Sequence, residues 1–475
     1  MDSSADKIFR YLERASQNHW IGCSWLEIVE NLQQSIQIIR NVKKIAGYAP
    51  RILLCEPEPV LFLGHFLGAV VESCPVFLGN LNWTETEWKQ VFQQVQPDLI
   101  LGSHFKPNSF QDLTSAPTTS ASTIPPLPDL PHLILIPTGG SSGNVRFAIH
   151  TWNTLAASVQ GFQHYFERQP IHAFCSLPLY HVSGLMQFLR CLITGGNLVI
   201  SPFKAIEIGQ IPDLDFSDFF ISLVPTQLQR LLNHPQQTQW LAQFHTVLLG
   251  GAPAWSELLD QAREQHIQLA PTYGMTETAA QVVTLKPQDF LAGNNSVGQA
   301  LPHAKVTVYQ DLGEVCAINQ PGLITIQTNS LMWGYYGESS LLNSTALNPD
   351  RCFQTDDLGY FDQQGYLTII GRNSQKIITG GENVFPGEIE LAIQATNLVE
   401  DVCVVGLPDR HWGQVVAAVY VPKPFTSAAL LNAKLQGQLS SYKLPKHWIE
   451  IPQIPRNPQG KINRPQLEEI AKSSL

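Results

Sequence analysis

Short β-branched or leucine-rich runs recur along this chain and alternate with longer amphipathic stretches, and that alternation narrows its fold more than any other feature. The runs RILLCEP, PVFLG, PDLILG, HLILIPTGG, HAFCSLP, NLVIS, FFISLVP and TVLLGG are apolar almost throughout, so both faces of such strands need cover. Helix-like stretches at Trp88 to Gln96, Trp152 to Phe166, Thr226 to Leu232 and Trp255 to His266 supply it. The expectation is an α/β protein built on doubly wound parallel sheets. Val60 to Val71 contains His65 and two glycines, falls short of spanning length, and reads as a helix buried on a sheet.

At 475 residues the chain exceeds one ordinary core. Past about residue 300 the texture changes to short strands with turn dipeptides, AKVTVYQDLGEV and GLITIQT, which predicts a small β-rich subdomain. From Asn373 the order strand, helix, strand, strand, helix, with VEDVCVVGLPD and VVAAVYVPK as its clearest strands, predicts a separate α+β unit. The division expected is a large N-terminal domain over 1–372 and a small mobile one over 373–475. Thr114 to Pro128, rich in Ser, Thr and Pro, reads as an exposed connection.

Hydrophobic residues at 44% against 14% charged exclude wholesale disorder, and a net charge of -10 disfavours nucleic acid as the main partner. Eight cysteines carry no C-x-x-C pair and no zinc spacing, and read as free thiols in a reducing cytosol. The opening MDSSADKIFRYLERA has no signal-peptide core, so a cytoplasmic protein without an integral membrane segment is expected. No residue pattern argues for a homodimer, and none excludes one.

Four constellations carry chemistry. PTGGSSGNVR, Pro137 to Arg146, follows the apolar run Leu133 to Ile136 and reads as a phosphate loop hung from a buried strand. Gly139, Gly140 and Gly143 let the backbone approach an anion, Thr138, Ser141 and Ser142 add hydroxyl donors, and Arg146 adds charge. The bland alternative is a Gly/Ser surface turn, and neither the Walker pattern nor G-x-G-x-x-G fits. In PTYGMTET, Pro271 to Thr278, Gly274 suits a bend where the main chain meets a flat ring, and Glu277 is a carboxylate placed to hold a hard cation. Its alternative is a helix start capped by Thr276, with Glu277 and Thr278 solvated. In TDDLG followed by Gly371-Arg372, an aspartate can accept hydrogen bonds from both hydroxyls of a ribose, or simply turn the chain. In RNPQGKINR, Lys461 on a glycine-hinged turn suits a mobile cation that bridges a carboxylate and a phosphate, where the plain reading is a solvated lysine.

Taken in order, these elements resemble those of the adenylate-forming superfamily of acyl-CoA ligases, nonribosomal peptide adenylation domains and luciferases. The first loop is similar to the signature [ST]-[ST]-G-[ST]-T-G-x-[PE]-K, with Arg146 where lysine is common. The resemblance implies ATP, Mg²⁺ and CoA as cofactor and co-substrates and a small carboxylic acid as substrate. It places Tyr273 and Gly274 on one side of an adenine and Gly250, Gly251 and Ala252, in LLGGAP, on the other. It assigns Thr276 to the α-phosphate, Glu277 to the metal, Asp357 rather than Asp356 to the ribose with Arg372 beside it, and catalysis to Lys461 with Arg146. Gly380 and Gly381 resemble a pantetheine-tunnel segment, Ser374 the hinge, and His181 in LPLYHVSGL a gate to the acyl pocket. Lys443 and Lys446 are candidates for CoA phosphates, against the plainer reading of a solvated pair.

Arg190, in the apolar MQFLRCLI, needs a counter-anion: an internal Asp or Glu, or a second carboxylate on the substrate. YGMTETAAQVVTL with GNNSVGQAL is similar to o-succinylbenzoate–CoA ligases of menaquinone and phylloquinone synthesis, whose substrate is a dicarboxylate, and this favours the second. A CoA ligase for another aryl or fatty acid, a stand-alone adenylation enzyme loading a carrier protein, and a catalytically silent nucleotide-binding regulator stay open as alternatives.

Overall fold

The computed structural model describes residues 4–15, 20–22, 24–102, 125, 127–139, 145–310, 313–337, 352–456 and 462–474. The proposed connection at Thr114 to Pro128 lies almost wholly outside these. All eight apolar runs form strands. A first sheet has the order β3-β1-β2-β4-β5, with β1 Ile52–Leu54, β2 Val76–Leu78, β3 Leu99–Leu101, β4 Leu133–Gly139 and β5 Val145–Thr151. Its strands are parallel except for β5, which folds back on β4 and sets Thr138 opposite Arg146.

A second sheet contains parallel β6 His172–Cys175, β7 Leu198–Ile200, β8 Phe219–Leu223, β9 Thr246–Leu249 and the start of β10 Leu269–Met275. Antiparallel β11 Ala280–Thr284 and β12 Gln299–Ala300 extend it on the β10 side. Both sheets are covered on both faces. Ile52, Leu54, Val76 and Leu78 of one sheet and Ala173, Cys175 and Leu198 of the other bury into one shared core with the helices Pro59–Val71, Trp152–Phe166 and Val182–Thr194. Alternate residues, Leu53 and Phe77 in the first sheet and Phe174 and Val199 in the second, bury into separate outer cores. Two-sided burial is why these strands read as continuous apolar runs.

The expected β-rich subdomain is an antiparallel four-stranded sheet of β13 Ala304–Tyr309, β14 Gly322–Thr328, β15 Cys352–Phe361 and β16 Leu367–Arg372. Beyond it, β17 Ile377–Thr379, β18 Glu382–Val384, β19 Val399–Asp409, β20 Gly413–Pro422 and β21 His447–Glu450 form a fourth sheet with cores of its own. With the helices Pro386–Ala395, Ala428–Leu435 and Arg464–Ser473, one strand of the hairpin β17–β18, the strand β21 and one helix exceed the five elements expected there; strand runs of three and four residues are too short to carry a period-2 signal.

Candidate active site

The parallel strands β8, β9 and β10 end side by side, and ligands of open α/β sheets bind beyond such carboxyl ends. Gly250, Gly251 and Ala252 follow β9, and Tyr273 and Gly274 close β10 one strand over. A Cβ on Gly274 would stand 2.2 Å from the Ala280 carbonyl oxygen and 2.4 Å from the Gln281 Cα. The close approach of β11, at an irregularity in the β10–β11 register, therefore excludes a side chain here.

Tyr273 donates its phenol hydrogen to Asp357 Oδ2 at 2.8 Å, and Arg372 Nε meets Asp357 Oδ1 at 3.3 Å. Burial first, and the Asp357 carboxylate second, push the Tyr273 phenol well above its ordinary pKa, so it stays a donor. Asp357 and Arg372 are register partners on β15 and β16. The three residues nominated for adenine and ribose thus converge from two sheets.

After β10 the chain makes a short 3₁₀ turn, Thr276–Thr278, and not the start of an α-helix. The capping hydroxyl is that of Thr278, which accepts from the Met275 amide at 3.1 Å. Glu277 and Thr278 are buried, contrary to the solvated alternative. Glu277 Oε1 accepts from Tyr335 at 2.5 Å and from Thr138 of the loop strand at 3.5 Å. His150 Nε2 donates to the Thr276 carbonyl at 2.8 Å and Ser158 to that of Ala279 at 2.6 Å, so β5 and the helix Trp152–Phe166 brace the turn. The Arg146 guanidinium lies 4.1 Å from the centre of the Tyr335 ring. No described Lys, Arg or His makes an ion pair with Glu277. A buried carboxylate whose neighbours are hydroxyls rather than cations fits a divalent ion whose remaining ligands come from phosphate and water. Gly140, Ser141, Ser142, Gly143 and Lys461 lie outside the described residues.

His181 caps the helix Val182–Thr194 through its backbone, and its ring lies tilted at 54° to that of Tyr180 with the centres 4.6 Å apart. Nine residues on, Arg190 is 3% exposed. Its guanidinium lies 4.0 Å over the Phe162 ring and donates to Gln281 Oε1 at 2.8 Å, while its Nε has no hydrogen-bond partner. Burial lowers its pKa to about 10. No described carboxylate pairs with it, so the ordinary explanation of a buried arginine fails among the described residues. His303 packs on Gly161, the residue before Phe162, with both ring nitrogens unpartnered. Burial, then the Arg190 charge, drive its pKa down to about 4.

Ser374 sits in the 3₁₀ turn Asn373–Gln375 that joins the third and fourth sheets. Asp356 grips it, accepting from its amide at 3.0 Å and from its hydroxyl. Gly380 and Gly381 take positive φ of 60° and 86°, and a Cβ on Gly380 would strike the Trp412 ring at 2.6 Å. Lys443 is not a solvated lysine, since it holds both oxygens of Glu388 at 2.6 and 2.8 Å. Lys446 covers the Trp412 ring at 4.2 Å.

The family model described as AMP-binding enzyme matches residues 69–336, and that of the AMP-binding enzyme C-terminal domain matches residues 388–461. The chain belongs to the AMP-binding enzyme family. Among its relatives, the 2-succinylbenzoate–CoA ligase of Enterococcus faecalis is 33% identical over 331 residues, 68% of this chain and 67% of that protein. That of Bacillus velezensis is 34% identical over 302 residues, 63% of this chain and 61% of its own length. The fold matches that of o-succinylbenzoate CoA synthetase (MenE) from Bacillus subtilis, in complex with the acyl-adenylate intermediate OSB-AMP, with a TM-score of 0.82 at 23% identity, over 96% of this chain and 97% of that one.

Tyr335, Gln281 and His303 were not signalled by the sequence, and nothing in it joined Asp356 to Ser374. Tyr335 falls in the aromatic-rich LMWGYYG, whose composition is that of any buried strand. Its contacts with Arg146 and Glu277 exist only once three separate segments meet.

Proposed function

We propose that this protein is an ATP-dependent acid–CoA ligase that activates 2-succinylbenzoate as its adenylate and passes the acyl group to CoA, in the cytoplasm, as a step of menaquinone or phylloquinone synthesis. The observation that carries the choice of acid is Arg190, a buried guanidinium without a carboxylate partner among the described residues, on the helix that follows His181. A substrate with two carboxylates leaves one free to meet that charge while the other reacts. The names of the relatives point to the same acid.

The first half-reaction is attack of the acid's carboxylate oxygen on the α-phosphorus of ATP, which breaks the bond to pyrophosphate and gives a mixed anhydride. Tyr273, Asp357 and Arg372 hold the nucleoside, with Asp357 turning from the Tyr273 phenol to the ribose hydroxyls. Thr276 borders the α-phosphate. Arg146, with Thr138 to Gly143, takes the β- and γ-phosphates, and Lys461 approaches the reacting oxygens. Glu277 would hold Mg²⁺, which supplies charge to the departing pyrophosphate. In the second half-reaction the C-terminal unit turns about Ser374, the Gly380–Gly381 segment lines the thiol's path, and the CoA sulfur displaces AMP to leave a thioester.

The test is exchange of labelled pyrophosphate into ATP without CoA. Exchange that needs 2-succinylbenzoate supports the reading, and exchange that is absent with this acid but present with benzoate or a fatty acid discards it.

A further inference from the structure

Two opposite charges of the proposed nucleotide site, Arg146 and Glu277, approach one side chain from different directions without pairing with each other. The Arg146 guanidinium lies 4.1 Å over the ring of Tyr335, and the hydroxyl of that ring donates to Glu277 Oε1 at 2.5 Å. No ion pair joins Arg146 to Glu277. A bidentate pair between the two would turn guanidinium and carboxylate toward each other rather than toward a ligand.

The backbone around Tyr335 holds it to both partners. Trp333 donates to the Ile149 carbonyl at 2.7 Å, Ile149 to that of Gly334 at 2.9 Å and Tyr336 to that of Phe147 at 2.9 Å, so the segment lies along β5, the strand that carries Arg146. Met332 donates to the Glu277 carbonyl at 2.8 Å and fixes the same segment to the turn. Tyr336, 1% exposed, anchors it in the core against Phe77, their ring centres 5.0 Å apart. The anchoring is therefore done by Tyr336, and Tyr335 points to the charges. Oε1 of Glu277 takes both hydroxyls, of Tyr335 and Thr138, whereas Oε2 accepts from none of the described residues.

Resting on the reading of the site as one for Mg·ATP, we propose that Tyr335 is a positioning residue: its ring carries Arg146 and its hydroxyl orients Glu277, so that the cation faces the polyphosphate and Oε2 faces the metal. The ring face offers the guanidinium a cation–π seat that leaves its N–H groups in plane for phosphate. The hydroxyl fixes the carboxylate's rotation.

Calorimetric titration of the full chain with a non-hydrolysable ATP analogue, with and without Mn²⁺, separates the two tasks. Tyr335→Phe keeps the ring: metal-free nucleotide affinity stays within twofold of the parent, and Mn²⁺ binds about 10-fold more weakly to the nucleotide complex, read directly by electron paramagnetic resonance. Tyr335→Leu also loses metal-free affinity, to the level of Arg146→Ala, and the double variant Arg146→Ala/Tyr335→Leu is no weaker than Arg146→Ala alone. A Tyr335→Phe protein with parental Mn²⁺ affinity, or additive losses in the double variant, overturns the inference. The phenylalanine form preserves packing, so a leucine variant that fails to fold leaves the Mn²⁺ arm decisive. Absence of nucleotide binding by the parent protein would instead sink the reading of the site, and this inference with it.

Discussion

Replacing Arg190 by methionine separates a structural arginine from one that reads substrate. The guanidinium is 3% exposed, donates to Gln281 at 2.8 Å, stacks on Phe162 and faces no described carboxylate. Methionine fills similar volume beside Phe162 without a charge to desolvate, and exchanges of this kind are neutral to stabilising. The melting temperature should hold or rise. Losing one member of a buried charge pair costs about 2–5 kcal/mol in binding. Taking ~3 kcal/mol, kcat/KM for 2-succinylbenzoate should fall about 150-fold, most of it in KM. The assay is AMP release with 2-succinylbenzoate and with 4-oxo-4-phenylbutanoate, which keeps the reacting chain and lacks the ring carboxylate. The parent should prefer the dicarboxylate strongly, and Arg190→Met should treat the two acids alike. Full activity of the variant with 2-succinylbenzoate, or equal losses with both acids, would refute the reasoning.

Gly274→Ala pushes a Cβ to 2.2 Å from the Ala280 carbonyl oxygen, and the forced shift of β11 should lower stability by about 1–3 kcal/mol, read by chemical denaturation. Tyr273→Phe removes the donor to Asp357 but keeps the ring, and leaves both carboxylate oxygens for the ribose and Arg372; KM for ATP should move by less than about fivefold, while Asp357→Ala, which removes the proposed ribose acceptor, should raise it at least about tenfold. The depressed pKa of His303, about 4, means that the unfolded chain binds its proton first as pH falls. Stability from this group is complete above about pH 6.5 and is lost progressively toward about pH 4, by at most ~3 kcal/mol, and His303→Gln should flatten that part of the stability profile. Ser374→Ala removes the hydroxyl held by Asp356 but keeps the hydrogen bond that the residue 374 amide donates to that carboxylate, so thioester formation should change more than pyrophosphate exchange, as single-turnover measurement of the two steps would record.

The strands were legible because their burial is two-sided: β1, β2, β4, β6, β8 and β9 insert alternate residues into different cores, so apolar residues fill both faces of most of each run. Tyr273, Glu277 and Asp357 were legible through motif order, and they fall within two adjoining sheet ends. The choice between Asp356 and Asp357 has a simple physical basis in the strand itself. Neighbouring residues of β15 face opposite sides, so Asp357 turns to Tyr273 and Arg372 while Asp356 turns to Ser374. The pairing of Asp356 with Ser374 was not legible, because the two lie 18 positions apart and no local pattern joins them. Arg190 announced itself as a charge in an apolar helix, yet its neighbours Gln281 and His303 lie 91 and 113 positions away, and no local pattern joins them. Lys443 looked exposed for the same reason: Glu388, which holds it, is 55 residues earlier.

Mass-spectrometric analysis of products after the protein is incubated with Mg·ATP, CoA and 2-succinylbenzoate, beside benzoate and medium-chain fatty acids, tests whether it is a 2-succinylbenzoate–CoA ligase. AMP and a succinylbenzoyl thioester of CoA should form from 2-succinylbenzoate alone. A thioester from another acid only, or AMP without any thioester of CoA, would contradict it.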